Sequence, residues 1–289
     1  MKKLLKRGIS AIIHWRENLF MLKLRIRIIA ECLKSRENEK LKIAFFLLKP
    51  CKIPFFPYNF TKKYCTKNIS VYYDADQYPY VIHNGKRLYF KKGWDEEKAR
   101  KYYVSLQWDQ APDSPHCYLQ NSERYPETGD IIVDAGAAEG VFVLDIIDII
   151  EKAYLIECDK EWEIPLKKTF SKWRHKIEIV QKYIGDRDDG QMISLDTFFY
   201  DKKVDVLKAD IEGAEEAMLL GGGYTFKNKV KKAFICTYHS PNAEDIIKRY
   251  LEDYGFQSEF NSGYTLYVYD LSTFMTPYVR HALIYGYHK

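Results

Sequence analysis

From residue 130 onward, short apolar runs alternate with amphipathic stretches. Short apolar runs bounded by polar or small residues are typical of buried strands, and apolar positions that recur every three or four residues are typical of helices. The alternation predicts a mostly parallel α/β sheet with helices between its strands. The predicted strands are 130–134, 153–158, 176–184, 204–210, 231–239 and 264–269, and the predicted helices are 139–151, 161–173, 212–220 and 242–254. The last strand follows a turn at 261–263 and is expected to run antiparallel at the sheet edge.

The N-terminal part of the chain has a different pattern. Residues 1–48 place basic residues between apolar ones at roughly helical spacing. Residues 1–67 hold 17 Lys/Arg and 4 Asp/Glu, a net charge of +13, and the rest holds 28 and 36, a net charge of −8. Two interpretations of this arm stay open: contact with an anionic membrane surface, or a helical pair that packs on the body or on a second subunit. The acidic body is unlike a nucleic-acid binder, so no nucleic-acid partner is expected.

Between the arm and the sheet, the pattern predicts a β-hairpin and a helix. Two alternating runs flank Asn84-Gly85, the dipeptide preferred in a two-residue type I′ turn, and a helix is predicted over 95–106. The chain is therefore divided into a basic helical arm at 1–67, a hairpin and helix at 68–128, and a sheet domain with a C-terminal tail at 129–289.

Composition narrows the class of protein. The chain is 46% hydrophobic, which is enough for a core, yet no apolar run approaches the about 18 residues of a membrane-spanning helix. The N-terminus lacks the features of a signal peptide. The six cysteines form no Cys-x-x-Cys pair, which predicts reduced structural thiols in a cytoplasmic protein. No metal site is expected, because no cluster of His, Asp or Glu shows ligand spacing.

The stretch 130–140 carries the first candidate site. An apolar run ends in Asp134, enters a loop of small residues and opens into an amphipathic segment. A parallel strand delivers a nucleotide-like ligand to a helix N-terminus in this way. Gly136 and Gly140 permit unusual backbone angles and a close approach of the backbone to a ligand.

A second apolar run ends in Glu157, where an acid can accept hydrogen bonds from both hydroxyls of a ribose. The loop has Ala138 where a dinucleotide-binding motif has its middle glycine, and it carries the acids Asp134 and Glu139. An acidic loop favours a ligand without phosphates, so S-adenosylmethionine, with its sulfonium, ammonium and ribose, fits better than NAD. The alternative is an ordinary β–α–β crossover whose acids cap helices.

After the third predicted strand, Asp186 is placed to accept a hydrogen bond from an adenine amino group, with a solvated turn as the alternative. The residues predicted to bind the cofactor are Asp134, Gly136, Ala137, Ala138, Gly140, Glu157, Cys158 and Asp186.

The candidate catalytic residues lie at two later strand ends, because ligands of an open α/β sheet bind beyond the carboxyl ends of its strands. Asp210 and Glu212 follow the fourth predicted strand, and His239 ends the fifth. Histidine, with an ordinary pKa of about 6.5, is the best general base by type. Asp210 is either the base itself or orients His239 or the cofactor. The alternatives are a structural histidine and, for Glu212 and Glu215, stabilisation of the first turn of a helix; Glu215 is assigned to that role.

Two further residues are predicted to contact the acceptor. His116 lies in a loop just ahead of the first core strand, and Tyr238 precedes His239.

With these residues assembled, the chain resembles the FkbM family of S-adenosylmethionine-dependent methyltransferases over roughly 105–285. The resemblance rests on Val133–Gly140, Ile156–Asp159, Ser194–Thr197 and the Lys-x-Asp-x-Glu-Gly-x-Glu motif at Lys208–Glu215. A bacterial subgroup is similar also at 114–116, 237–239 and 277–280. Cys158 stands where many members have proline after the ribose-binding acid, which leaves the carboxylate of Glu157 in place.

The resemblance implies a seven-stranded class I methyltransferase sheet and, commonly, O-methylation of sugars or natural products. We therefore expect a cytoplasmic O-methyltransferase that acts on a hydroxyl of a bacterial surface glycan or its precursor. On the membrane interpretation of the arm, it is peripheral at the inner membrane face through 1–48. The alternatives are an N-methyltransferase acting on a small molecule, a nicotinamide-dependent oxidoreductase, and a binding module with a vestigial cofactor fold. The acceptor, the regiochemistry and the oligomeric state are left open.

Overall fold

The computed structural model of the chain describes residues 2–49, 52–268 and 276–288, with side chains described from residue 19 onward. The chain forms two compact units. We call Met1–Asn59 with Gly263–Arg280 the arm unit, and Phe60–Ser262 with His281–Lys289 the sheet unit. These units do not coincide with the predicted boundaries at 67 and 128, because 263–280 belongs with the N-terminal helices. The predicted three-part division into domains stays a prediction.

The regular elements are numbered in chain order. The strands are β1 (Tyr72–Tyr73), β2 (Pro79–His83), β3 (Lys86–Tyr89), β4 (Ile131–Ala135), β5 (Lys152–Ile156), β6 (Ile177–Val180), β7 (Tyr183–Gly185), β8 (Met192–Ser194), β9 (Val206–Ala209), β10 (Lys232–Cys236), β11 (Gln257–Phe260), β12 (Thr265–Leu266), β13 (Val279–Arg280) and β14 (Leu283–Tyr287). The α-helices are α1 (Lys2–Ser35), α2 (Asn38–Leu47), α3 (Glu96–Asp109), α4 (Val141–Ile146), α5 (Glu163–Thr169), α6 (Leu195–Phe198), α7 (Glu215–Leu220), α8 (Gly223–Asn228) and α9 (Ala243–Asp253).

The sheet unit is built on a seven-stranded sheet with the order β11–β14–β10–β9–β4–β5–β6. Neighbouring strands are parallel except at β14, which is antiparallel to both β10 and β11. Successive residues of the central strands alternate between two hydrophobic clusters, one on each face. Burial on both faces explains why these strands appear in the sequence as continuous apolar runs. The predicted α/β class, with a mostly parallel sheet, is confirmed.

Two strand predictions are wrong in position. The antiparallel strand is β14, from the segment predicted to be a tail, whereas Thr265–Leu266 of the predicted edge strand pairs with β13 in the arm unit. Both segments are short and apolar, so the pattern does not distinguish them. The predicted strand 176–184 is two strands: β6 joins the main sheet, and β7 pairs with β8 in a separate parallel pair.

The hairpin and helix that precede the sheet are confirmed. Strands β2 and β3 are antiparallel around Asn84 and Gly85, whose φ angles of 49° and 79° are the positive values that a type I′ turn requires. The side chain of Asp95 accepts a hydrogen bond of 2.8 Å from the backbone N–H of Lys98, which caps the N-terminus of α3.

The arm unit has its own hydrophobic cluster. Leu24, Ile28 and Cys32 of α1 lie one turn apart along one face of the helix and are buried. They pack with buried residues of α2 and of the 263–280 segment, namely Ile43, Ala44, Leu47, Tyr264, Leu266, Tyr278 and Val279. Among the residues described, no helix is both long and apolar enough to cross a membrane.

Candidate active site and cofactor loop

The loop after β4 has a fixed, left-handed backbone. Gly136, Ala138 and Gly140 have φ angles of 73°, 44° and 84°. A Cβ atom on Gly136 would lie 1.9 Å from the backbone oxygen of Asp210, so only glycine fits there. The backbone N–H groups of Gly136 and Ala137 both donate to the carbonyl of Ile156 at the end of β5. We call 136–140 the cofactor loop.

Glu157 joins this loop to the end of β5. One carboxylate oxygen accepts a hydrogen bond of 2.9 Å from Ala138 N–H, and the other accepts one of 2.7 Å from Asp159 N–H. Each carboxylate oxygen can accept a second hydrogen bond. Glu157 is therefore held in place by the backbone while it retains capacity for two ribose hydroxyls. Cys158, beside it, is exposed.

Asp134 and Lys208 form a buried ion pair beneath the loop. Their closest atoms, Lys208 Nζ and Asp134 Oδ1, are 2.9 Å apart, and Lys208 also donates to the carbonyl of Gly136 at 2.7 Å. The two residues are register partners on the adjacent strands β4 and β9. Burial opposes the charge of Lys208, but the carboxylates of Asp134 and Asp210 outweigh it and raise the Lys208 pKa. Asp134 thus has a partner inside the protein, and its contact with a ligand stays a prediction.

Further acids stand around this loop. The Tyr102 hydroxyl donates to Glu139 at 2.6 Å, and burial raises the Glu139 pKa. Asp109 ends α3, and burial raises its pKa to about 7, an effect that His116 opposes and the charges of Asp210 and Glu139 reinforce. Acidic side chains beside the loop suit a ligand that carries an ammonium and a sulfonium. Together with Glu157, these residues fit S-adenosylmethionine.

Asp210 is the centre of the second half of the site. Its carboxylate accepts hydrogen bonds from the hydroxyls of Tyr118 at 3.3 Å and Tyr238 at 3.1 Å. The Nε2 atoms of His116 and His239 lie 3.5 and 3.4 Å from its oxygens. Burial works against its charge, but the hydrogen bond and charge of His116, with His239 and Lys208, hold the Asp210 pKa well below its usual range. We call Asp210 and the four residues His116, Tyr118, Tyr238 and His239 the Asp210 cluster.

His239 is oriented by Glu215. The Nδ1 atom of His239 lies 2.8 Å from Oε1 of Glu215, and both side chains are only 3% exposed. Glu215 also accepts from the backbone N–H of Ile211 at 3.1 Å, which fixes the carboxylate. Burial lowers the His239 pKa, but the Glu215 hydrogen bond and the charges of Asp210 and Glu212 outweigh it and raise the pKa. Glu215 therefore does more than stabilise a helix terminus.

The same residues bear on the expectation of no metal. Asp210, Glu215 and His239 each offer a ligand atom, and these atoms lie within 4.8 Å of one another, a spacing that could hold a cation. The hydrogen bond between Glu215 and His239 explains the spacing without an ion. The absence of a metal requirement stays a prediction.

The family model of the FkbM methyltransferase domain matches residues 136–258, which are 123 of the 289 residues. The match begins at the cofactor loop and contains Glu157, the Lys208–Glu215 motif and His239. The match assigns this segment, rather than the whole chain, to an FkbM methyltransferase domain. The predicted family resemblance is confirmed, and the domain is of the S-adenosylmethionine-dependent class.

Solved structures similar to the chain include several methyltransferases. A methyltransferase FkbM from Methylobacillus flagellatus is 16% identical, with a TM-score of 0.47, 65% of this chain covered and 52% of that one. The chain thus spans about half the length of that protein. A putative tRNA (m1A22) methyltransferase of Streptococcus pneumoniae, in complex with S-adenosyl-L-methionine, is 17% identical with a TM-score of 0.36, covering 56% and 68%. A precorrin-6y C5,15-methyltransferase of Geobacter metallireducens is 11% identical with a TM-score of 0.39, covering 57% and 82%.

The assignment to the family rests on the domain match over residues 136–258. Among curated proteins, none matches the chain in sequence.

Most of the predicted site residues come together; Asp186 stands apart, and Glu212 reaches the Asp210 cluster with an exposed side chain. The predicted cofactor residues from Asp134 to Cys158 lie at the ends of β4 and β5, and His116, Asp210, Tyr238 and His239 meet in the Asp210 cluster. The Glu212 side chain is 88% exposed, and its Oε2 lies 3.7 Å from His239 Nε2. Asp186 is exposed in the turn after β7.

Four residues of the site were not predicted from the sequence: Asp109, Tyr118, Lys208 and Glu215. Lys208 and Glu215 lie in the motif on which the resemblance rests. The sequence therefore marked their positions but did not indicate what their side chains do. Tyr118 lies two residues after His116 and shares its loop. Asp109 lies at the end of a helix with no motif around it, and no sequence signal marks it.

Proposed function

We propose that the protein transfers a methyl group from S-adenosylmethionine to a hydroxyl of a sugar, in a bacterial surface glycan or its precursor. The observation that carries the proposal is the Glu215–His239 pair beside Asp210, at the carboxyl ends of β9 and β10. An amine attacks in its neutral form without help, whereas a hydroxyl gains from losing its proton as it attacks. A buried and oriented histidine therefore favours a hydroxyl acceptor.

The side chains of the site have separable roles in this reaction. When bound, S-adenosylmethionine supplies an electrophilic methyl group. The cofactor loop and Glu157 hold the ligand, and alignment of the reacting atoms is the main contribution of such a site. Glu215 accepts a hydrogen bond from the Nδ1–H of His239, and the lone pair on Nε2 then takes the proton of the acceptor hydroxyl. The carboxylates of Asp210 and Glu215 then stabilise the imidazolium that forms.

The substrate class is supported by the family, whose members commonly methylate sugars and natural products, and by the basic arm, which suits an acceptor near a membrane. On this proposal the protein works in the cytoplasm, at the inner face of the membrane.

The test is methyl transfer to a panel of acceptors, with His239→Ala beside the wild type. We expect methyl ethers on sugar hydroxyls of lipid-linked or polymeric glycans, and a loss of kcat of about 100- to 10,000-fold in the variant. Affinity for S-adenosylhomocysteine, measured by calorimetry, should stay within a few fold. The exposed His175, changed to alanine, is the matched control. Methylation of amines alone would refute the hydroxyl acceptor, and a wild-type rate in His239→Ala would remove His239 as the base. An unchanged rate in EDTA is expected if no metal takes part.

A further inference from the structure

From residue 19 onward, where its side chains are described, helix α1 presents two apolar faces, one covered and one exposed. Leu24, Ile28 and Cys32 are buried in the arm unit. Leu22, Ile26 and Leu33 are 52%, 58% and 51% exposed. At 100° per residue, these three fall within about 40° of one another around the helix axis, away from the buried face. They form an exposed stripe along the described part of α1, which we call the apolar stripe.

Helix α2 repeats this arrangement. Ile43, Ala44 and Leu47 are buried, whereas Phe45 and Leu48 are each 66% exposed. Apolar side chains in such number on one small unit are more than the scattered exposure of an ordinary surface, and they mark a contact surface.

Basic residues flank the apolar stripe. Lys23, Arg27 and Lys34 are exposed and follow one side of it at about 100° to 140° from Leu22 around the axis. Arg25 lies on the other side and donates to the carbonyl of Lys49 at the end of α2. Long basic side chains beside an apolar stripe can reach anionic head groups while the stripe enters the lipid.

The acids whose side chains are described in the arm unit, Glu31, Glu37 and Glu39, are engaged within it. Glu31 accepts hydrogen bonds from the backbone N–H groups of Tyr278 and Val279, both at 3.1 Å. Glu39 pairs with Lys42 at 2.8 Å. These carboxylates are therefore paired within the unit, and the described flank of the apolar stripe keeps its positive charge.

We propose that the apolar stripe and its basic flank form a surface that docks on an anionic phospholipid membrane. A nucleic acid would use the cations but not the exposed leucine and isoleucine side chains. A second copy would bring like charges face to face, since residues 1–67 carry a net charge of +13. An anionic bilayer satisfies both the apolar and the basic component.

The test uses the full chain, because a truncation before residue 68 would remove the helices that cover Tyr264, Leu266, Tyr278 and Val279. Sedimentation with vesicles of phosphatidylcholine alone or with 30% phosphatidylglycerol gives the partition coefficient. We expect binding to the anionic vesicles that weakens with salt. The triple variant Leu22→Ser, Ile26→Ser, Leu33→Ser should bind roughly 100-fold more weakly or worse. A second triple variant removes the basic flank: Lys23→Gln, Arg27→Gln, Lys34→Gln. Its partition coefficient should fall about 100-fold, and only on the anionic vesicles.

Matched controls lie on the sheet unit. Leu220, Tyr183 and Tyr224 are 53%, 54% and 53% exposed, and changing them to serine should leave binding unchanged. The control for the basic variant removes three exposed basic residues of the sheet unit: Lys172→Gln, Arg174→Gln, Lys203→Gln. It too should leave binding unchanged. All variants should bind S-adenosylhomocysteine as the wild type does, which separates this proposal from that of the reaction. No binding of wild type to anionic vesicles, or equal binding by the apolar variant, would overturn it. So would a wild-type dimer that the apolar variant makes monomeric in ultracentrifugation.

Discussion

The two halves of the candidate active site are built in opposite ways. The cofactor loop is a run of consecutive residues held by backbone hydrogen bonds to Ile156 and by one carboxylate, Glu157. The Asp210 cluster is assembled by side chains from the ends of β9 and β10 and from the loop at 116–118. The first half depends on backbone shape and the second on side-chain chemistry. We therefore expect substitutions in the two halves to fail differently, one in ligand binding and the other in turnover.

The substitution that tests this comparison most directly is Gly136→Ala, because Gly136 is where the backbones of the two halves are in contact. The new Cβ would lie 1.9 Å from the backbone oxygen of Asp210, and φ is 73°, so the backbone of both halves must move. We expect a loss of unfolding free energy of about 3 kcal/mol or more and no detectable binding of S-adenosylhomocysteine. Chemical denaturation and calorimetry measure the two effects.

Gly190→Ala is the matched control for that substitution. A Cβ there meets no atom within 4 Å, and its φ is not left-handed, so stability and binding should be unchanged. A stable Gly136→Ala variant with wild-type affinity would contradict the close contact between the halves.

A smaller effect within the cofactor half is expected from Glu157→Gln. The amide keeps one acceptor oxygen for the backbone, but it loses the charge and the second oxygen. Hydrogen bonds to a charged group contribute about 1.5 to 3 kcal/mol, so affinity for S-adenosylhomocysteine should fall about 10- to 100-fold while the fold persists. Calorimetry measures the affinity and circular dichroism the fold.

Asp186→Asn, at an exposed position, tests whether the predicted adenine contact contributes to binding. Unchanged affinity for S-adenosylhomocysteine would remove Asp186 from the site.

The smallest effect, confined to the Asp210 half, is a shift in pH dependence in Glu215→Gln. The Glu215 hydrogen bond is the largest of the influences that raise the His239 pKa against the effect of burial. Because the base must be neutral to accept a proton, activity rises with pH through that pKa. Without the carboxylate the pKa falls, so the acid limb of the kcat profile should move to lower pH.

Stability gives the same pair an independent test. A pKa raised on folding stabilises the protein below the unfolded-state value of about 6.5, and this contribution is lost as pH rises through the folded-state value. Glu215→Gln should therefore cost more stability at pH 6 than at pH 9. Glu216→Gln, at the exposed neighbouring position, is the control. An unmoved acid limb would show that His239 is not the titrating base.

The difference between the halves also explains what could be predicted from the sequence. The cofactor loop is local, so glycine spacing and the acid after the next strand were enough to find it. The Asn84-Gly85 hairpin and the parallel sheet follow from local patterns in the same way.

The Asp210 half could not be predicted in full from the sequence, because its residues come together only through the order of the strands in the sheet. Lys208 pairs with Asp134 because β9 lies next to β4, with the two residues in register, although 74 positions separate them. Asp109 enters the site through the packing of a helix that carries no motif, and Tyr118 enters it from the loop that also carries His116. The antiparallel strand was predicted in the wrong place for the same reason. Strands β14 and β12 have similar apolar patterns, and only their pairing partners in the structure distinguish them.

The left-handed backbone at Ala138 has a consequence for the rate of ligand binding. A non-glycine residue at φ 44° persists only where its surroundings hold it, and here Glu157 binds the N–H of that residue. The loop is thus ordered when the chain folds rather than when a ligand arrives. Preorganisation of this kind removes the ordering penalty from association. Capture should then proceed in a single kinetic phase whose rate increases linearly with ligand concentration, with no slow rearrangement after encounter.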